Sequence, residues 1–317
     1  MPTAQERGYA RDTGVVATLK RTLLEFKEDN LTDWAAALTY YGVLALFPAL
    51  IALVSIVGLV FSPTQVTEAM TKIVTQLGPA SAAETLEGPI TNITKSDSKA
   101  GIMLIVGVVA ALWSASGYVG AFMRASNVMY EVDEGRPIWK LRPLQMLVTL
   151  ALILLLTFAA LLVVMSGPVL DAVGSAVGLG STFVDVFAIA KWPLLLLIFA
   201  FALAVLYYAA PNAKLRGFKF ITPGGLVAVV VWLVASLAFA FYVANFGSYD
   251  KTYGSLAGVV LFLVWMWLTN VAILLGNQLN AERERDKQLQ AGEEGAEREL
   301  RLGERDEPKP KQRPKTA

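Results

Sequence analysis

Residues 143–170 read PLQMLVTLALILLLTFAALLVVMSGPVL, an uninterrupted run without a charge. A helix needs about 20 mostly apolar residues to cross a ~30 Å hydrocarbon core, where unpaired backbone groups find no water. This run is long enough. Working outward, five others match it: Trp34–Thr67, Ala100–Met123, Trp192–Ala213, Phe220–Tyr249 and Thr252–Ala281. The fold class expected is all-α: a polytopic membrane protein of six transmembrane helices, at about 35–61, 100–122, 144–167, 192–210, 223–246 and 256–279. That membrane domain, 35–280, lies between an N-terminal segment, 1–34, and a charged tail, 281–317.

The whole-chain totals agree. Hydrophobic residues make up 55% of the 317 and charged residues 17%, against about 25% charged in soluble domains. Prolines read as punctuation, since proline suits a first helical turn and breaks a continuing one. Pro143 and Pro168 bracket the third span, Pro193 and Pro211 the fourth, and Pro223 opens the fifth. Pro48 falls inside the first span, where it predicts a kink whose freed carbonyl a neighbouring helix satisfies.

Lys and Arg set the orientation. Five precede Trp34, four follow the second span, three follow the fourth and ten lie in the tail. The alternate loops hold three, one and one. Twenty-two against five places both termini in the cytoplasm. No cleavable signal peptide is expected, and the first span serves as its own insertion signal.

Val15, Val16, Leu19, Leu23 and Phe26 recur at helical spacing, with Lys20, Arg21, Glu25 and Lys27 between them. They predict a short amphipathic helix, either lying along the cytoplasmic membrane face or packed on the cytoplasmic loops. A similar stripe, Val66, Met70, Ile73, Val74 and Leu77, predicts that the loop 62–99 folds over the outer mouth. The tail mixes ten basic with ten acidic residues and has no aromatics. Its first part reads as a solvated continuation of the last helix and the rest as disordered.

The chemistry is narrowed by what is missing. The chain has no Cys and no His, which removes thiolate chemistry, the usual metal ligands and the usual general base. No phosphate-cradling Gly-x-x-x-x-Gly-Lys-Ser/Thr loop occurs, so any transport is passive, ion-coupled or energised by another protein. No cofactor and no metal are expected, and the chain is read as a non-enzyme. The acidic cluster Glu131, Asp133 and Glu134 reads as solvated charge paired with Arg124 or Arg136, ahead of a catalytic carboxylate set.

Polar side chains inside the spans are more informative. Thr39, Tyr40 and Tyr41 sit in the first, Trp113, Ser114, Ser116 and Tyr118 in the second, leading to Asn127, and Asn270, Asn277 and Gln278 in the sixth. They read first as interhelical hydrogen-bonding glue. The functional alternative is a polar-lined cavity for an amphiphile's headgroup. Gly117, Ala121 and Ala125, at four-residue spacing, let another backbone approach closely.

An ordered set of residues carries a resemblance. Ala36-Ala37-Leu38-Thr39-Tyr40-Tyr41 with Phe47-Pro48 comes first, then Trp113-Ser114 through Arg124, Asn127, Tyr130 and Glu131 to Arg136. Tyr208, Pro211-Asn212, Pro223-Gly224 and Trp232 follow, then Tyr242, Asn245-Phe246, Tyr249, Tyr253-Gly254-Ser255, Trp265 and Leu275-Gly276-Asn277. Over roughly 15–282 the chain resembles the YihY/BrkB family of bacterial inner-membrane proteins. The resemblance implies six helices and cytoplasmic termini. Members have carried labels for serum resistance and for a tRNA-processing ribonuclease, and some relatives are linked to lipid or lipopolysaccharide-precursor transport. The nuclease label suits this chain badly, for it lacks histidine and a basic RNA-binding domain.

The function expected is that of a transporter or flippase-like protein for an amphiphilic envelope component. The alternative is a non-transporting scaffold or regulator of envelope integrity. Partners expected are membrane lipids and an amphiphilic or lipid-linked substrate, with no nucleic acid. Tyr40, Tyr41, Pro48, Trp113, Arg124, Asn127, Tyr249, Tyr253 and Asn277 are the residues expected to line or gate a cavity.

Overall fold

All six charge-free runs give helices in the computed structural model, which describes residues 12–58, 100–164, 181–245 and 257–308. Within those residues there are seven helices: α1 (Val15–Glu28), α2 (Leu31–Gly58), α3 (Ala100–Met129), α4 (Ile138–Val164), α5 (Ser181–Ala209), α6 (Pro223–Asn245) and α7 (Ala257–Gln290). No β-strand is present among them, only an isolated antiparallel bridge between Ala213 and Glu304. The expected stripe in 62–99, Pro168 and the chain end 309–317 lie outside the described residues.

Among the described residues, four helices are long and apolar enough to cross a membrane: α4 over Ile138–Val163, α5 over Asp185–Ala209, α6, and α7. Their outer faces agree, with Leu147, Leu156, Leu237 and Phe241 all more than 60% exposed. Water would penalise so large an apolar surface, whereas lipid does not.

The prolines only partly punctuate. Pro223 opens α6 and α5 stops before Pro211, but Pro143 and Pro193 lie inside α4 and α5. α4 starts earlier because the Pro137 carbonyl accepts the amides of Lys140 and Leu141. A proline in a long helix forfeits one hydrogen bond, which the rest of the helix outweighs.

Contacts run α2–α3–α4–α5–α6–α7 and back to α2, closing a ring. Its core holds Leu31, Leu38, Phe122, Met123, Tyr207 and Leu274. α6 and α7 cross at Gly224 and Gly276, where a Cβ on either glycine would overlap the other's carbonyl oxygen. Small residues allow such backbone approach between membrane helices.

The structure corrects the reading of the tail. α7 does continue into the tail as expected, to Gln290, but Glu282, Arg285 and Gln288 are buried rather than solvated, and 291–308 folds back rather than being disordered. Ala296 and Leu300 are buried. Gly303 O accepts the Lys214 amide at 2.7 Å, and Arg305 donates to the carbonyls of Ala213 and Tyr208. The Asp306 carbonyl sits so close over Gly135 that no side chain fits there.

α1 is amphipathic with a particular sense. Thr18, Arg21, Thr22 and Glu25 are its buried residues and pack on α7, whereas Val15 (74%) and Val16 (81%) lie most exposed, with Leu19, Leu23 and Leu24 also outward. Its polar face thus makes the protein contact and its apolar face looks away from the bundle.

Candidate functional site

Four of the sequence-predicted residues meet on one face. Tyr40 and Tyr41, adjacent on α2, are edge to face with ring centroids 5.6 Å apart. The Arg124 guanidinium of α3 lies 5.7 Å from the Tyr41 ring centre. One stripe of α3 carries Trp113, Gly117, Gly120 and Arg124, at the three- and four-residue steps that share a helix face. The bare Gly117 leaves room for the Tyr41 ring, and Gly120 faces the Gln145 amide of α4. Gln145 accepts from Arg142 at 3.3 Å, and the Arg142 guanidinium lies 5.2 Å over Trp113.

Neither Arg124 nor Arg142 pairs with a carboxylate among the described residues. Tyr40 is 63% and Trp113 54% exposed, so the face is open rather than cored. An arginine held on an aromatic ring keeps its charge and its donors. Two such arginines beside exposed apolar surface can receive an anionic headgroup. A nucleophile with an adjacent base is not part of this arrangement.

Other predicted residues act elsewhere. Asn127 is buried and structural: its Oδ1 accepts the Asn212 amide at 2.8 Å and its Nδ2 donates to Glu134 at 2.9 Å. Asn277 is fully buried and donates to Ser126 Oγ at 2.9 Å. Pro48 lies partly buried within α2. Tyr249 and Tyr253 lie outside the described residues. In the ring interior, Tyr118 donates to Asn270 Oδ1 and Asn270 Nδ2 donates to Thr39 Oγ1, tying α3, α7 and α2 together.

The acidic cluster is dispersed into two locks. Glu134 binds Arg136, which also donates to the Ala209 and Ala210 carbonyls at the end of α5. Burial pushes the Glu134 carboxyl up, but the hydrogen bonds and charge of Arg136, with Asn127, outweigh it and hold it below the ordinary glutamate value. Glu131 binds Arg285 at 2.8 Å and accepts the Leu300 amide at 2.7 Å. Its backbone is left-handed, with φ of 51°, a conformation that costs a non-glycine residue roughly 1–2 kcal/mol. Arg285 joins Glu282, which also binds Arg21 at 3.1 Å. Burial raises the Glu282 carboxyl, with Arg285 and Arg21 opposing.

Sequence reasoning missed a second concentration of charge. A cleft of about 130 Å³ at this charged end is bounded by α5, α6, α7 and the loop before α6, and Arg216, Lys219, Arg283 and Lys287 line it. The count of basic residues by segment flagged these four only as topology signals. Their convergence depends on how the α7 continuation past Ala281 packs against the loop before α6, which the expected solvated continuation did not include.

The sequence profile of the family described as Virulence factor BrkB matches residues 22–301. A relative in Bacillus subtilis (strain 168), called a putative ribonuclease-like protein YfkH, is 33% identical over 80% of this chain and 90% of its own length. A UPF0761 membrane protein of Aggregatibacter aphrophilus is 27% identical over 81% of this chain and 88% of its own. One from Mannheimia succiniciproducens is 29% identical over 81% and 85%. No solved structure matches the chain.

Proposed function

The chain belongs to the Virulence factor BrkB family of integral membrane proteins, and from that premise we propose that it moves an amphiphilic envelope component with an anionic headgroup across the membrane, as a transporter or flippase-like protein. In this reading it is not an enzyme. It spans the plasma membrane six times, with both termini cytoplasmic. The observation that carries the proposal is the pair of arginines, Arg124 and Arg142, that have no carboxylate partner among the described residues and rest on Tyr41 and Trp113 beside exposed apolar surface. Cations are common at the cytoplasmic rim, where they snorkel into the interface, and these two are set apart by being held on aromatic rings rather than on carboxylates among the described residues.

One observation favours the competing scaffold reading. Thr39, Asn270 and Tyr118 satisfy one another inside the ring, as hydrogen-bonding glue does. Reconstitution separates the two. In liposomes containing a trace of fluorescent phosphatidylglycerol, the protein should make the inner-leaflet label accessible to an added quencher. The variant Arg124→Gln/Arg142→Gln should slow that movement by about 25-fold, at roughly fivefold for each cation lost. Labelled phosphatidylglycerol that stays as inaccessible as in empty liposomes refutes the transport reading for this headgroup class and favours the scaffold.

A further inference from the structure

The cleft at the charged end carries an assignment of its own, independent of the transport reading. Its four cations face one carboxylate, Glu284, which is taken up by Lys287. Arg216, Lys219 and Arg283 have no carboxylate partner among the described residues. The contrast with their neighbours is informative: the deeply buried Arg21, Arg136 and Arg285 are all ion-paired. Positive charge in the lock is neutralised from within, and in the cleft it is not.

The surroundings narrow the ligand. The rim loop presents Phe220 stacked on Phe201 and Phe218 edge to face with it, with Ile221 59% exposed. Thr222 and Pro223 join the cleft to α6. From there Leu226, Val230, Val234, Leu237 and Phe241 form an exposed apolar stripe down the helix. The space is about 130 Å³, roughly that of four waters at ~30 Å³ each, which suits a phosphate-sized group. The free amides of the α6 N-terminus add nothing, because Asn280 and Thr222 already cap Gly224 and Gly225.

We propose that this cleft binds the phosphate of an anionic phospholipid, with Arg216, Lys219 and Arg283 on the headgroup and the acyl chains along the α6 stripe. A basic pocket between membrane helices, opening where an apolar face begins, is the arrangement such headgroups require. A free phosphate would use the same cations but not the stripe.

The test uses full-length protein in detergent and counts retained lipid by native mass spectrometry, with phosphatidylglycerol and phosphatidylcholine as probes. Wild type should hold phosphatidylglycerol at least about tenfold more tightly than phosphatidylcholine. Arg216→Gln/Lys219→Gln/Arg283→Gln should lose about 100-fold, at roughly fivefold per cation. The charge-matched Lys27→Gln/Arg298→Gln/Arg301→Gln should lose little. The three cleft side chains are exposed, so thermal unfolding of the variant should match wild type. If it does not, Arg283→Gln alone is read, with a loss of about fivefold. Equal retention by wild type and the cleft variant, equal retention of the two lipids, or full displacement by millimolar inorganic phosphate overturns the proposal. The last outcome would assign the cleft to a free anion.

Discussion

Glu134 shows how a single side chain ties three segments at the charged end. It holds Arg136, which caps α5, and it receives the Asn127 amide from α3. Its lowered carboxyl value has a definite sign. The stabilisation is fully present above the ordinary glutamate value of about 4.3 and is lost as pH falls through the lower folded value. Glu282, raised by burial, works in the opposite direction, losing its contribution as pH rises through its folded value, so the whole-protein profile mixes the two. The comparison with Glu134→Gln isolates one. That variant should unfold at a lower temperature than wild type at neutral pH, and the gap should begin to narrow as pH falls below about 4.3 and go on narrowing through the lower folded value. A gap that stays constant across the titration would show that the carboxylate is not the source.

Among the elements, α6 and α7 depend most closely on one contact. Gly276 has Gly224 O, the Ala228 side chain and the Tyr207 hydroxyl within overlap distance of any Cβ, whereas Gly258 on the same helix has open space. Gly276→Ala should therefore destabilise by about 1–3 kcal/mol through overpacking. Gly258→Ala should be neutral or stabilising by up to ~1 kcal/mol, since alanine is the better helix former. Thermal unfolding of the pair in detergent checks both. Helix positions were legible in the sequence because uncharged runs of membrane length admit few other folds. The order of the tail was not. Glu282, Arg285 and Asp286 look like solvent-facing charges until Arg21 and Glu131, more than 100 residues away, arrive to pair with them. Leu300 likewise carries no periodic signal, yet it is buried and its amide is held by Glu131. The candidate site was half legible. Tyr40, Tyr41, Trp113 and Arg124 assemble, but Arg142 escaped notice as a rim charge. Asn127 and Asn277, chosen for being polar within apolar helices, turn out to hold the helices together.

For the whole molecule, orientation is the open quantity with the cleanest test. The chain contains no cysteine, so single cysteines can be placed without background. Lys27→Cys, Lys214→Cys and Arg298→Cys should react with an impermeant maleimide only after the cells are opened, and Asp185→Cys, at the outer end of α5, should react in intact cells. Labelling of Lys214→Cys from outside would invert the topology inferred from the charge counts. All three inner positions belong to segments joined by the charged-end contacts, so they should behave alike.

The length of α7 has a mechanical consequence. Its 34 residues span about 51 Å, far more than the ~30 Å of hydrocarbon. Gly276, where it rests backbone to backbone on α6, stands some 28 Å from the Ala257 end and some 21 Å from Gln290. That geometry is a lever with a fulcrum nearer its charged arm. Any tilt of the buried arm must swing the charged arm the other way, by about three-quarters of the displacement at Gln290 and about a third to a half of it at Glu282, Arg283 and Asp286. α1 and the folded-back tail are fastened to that arm, so they would travel with it, and events at the membrane centre would be felt as sideways motion at the surface.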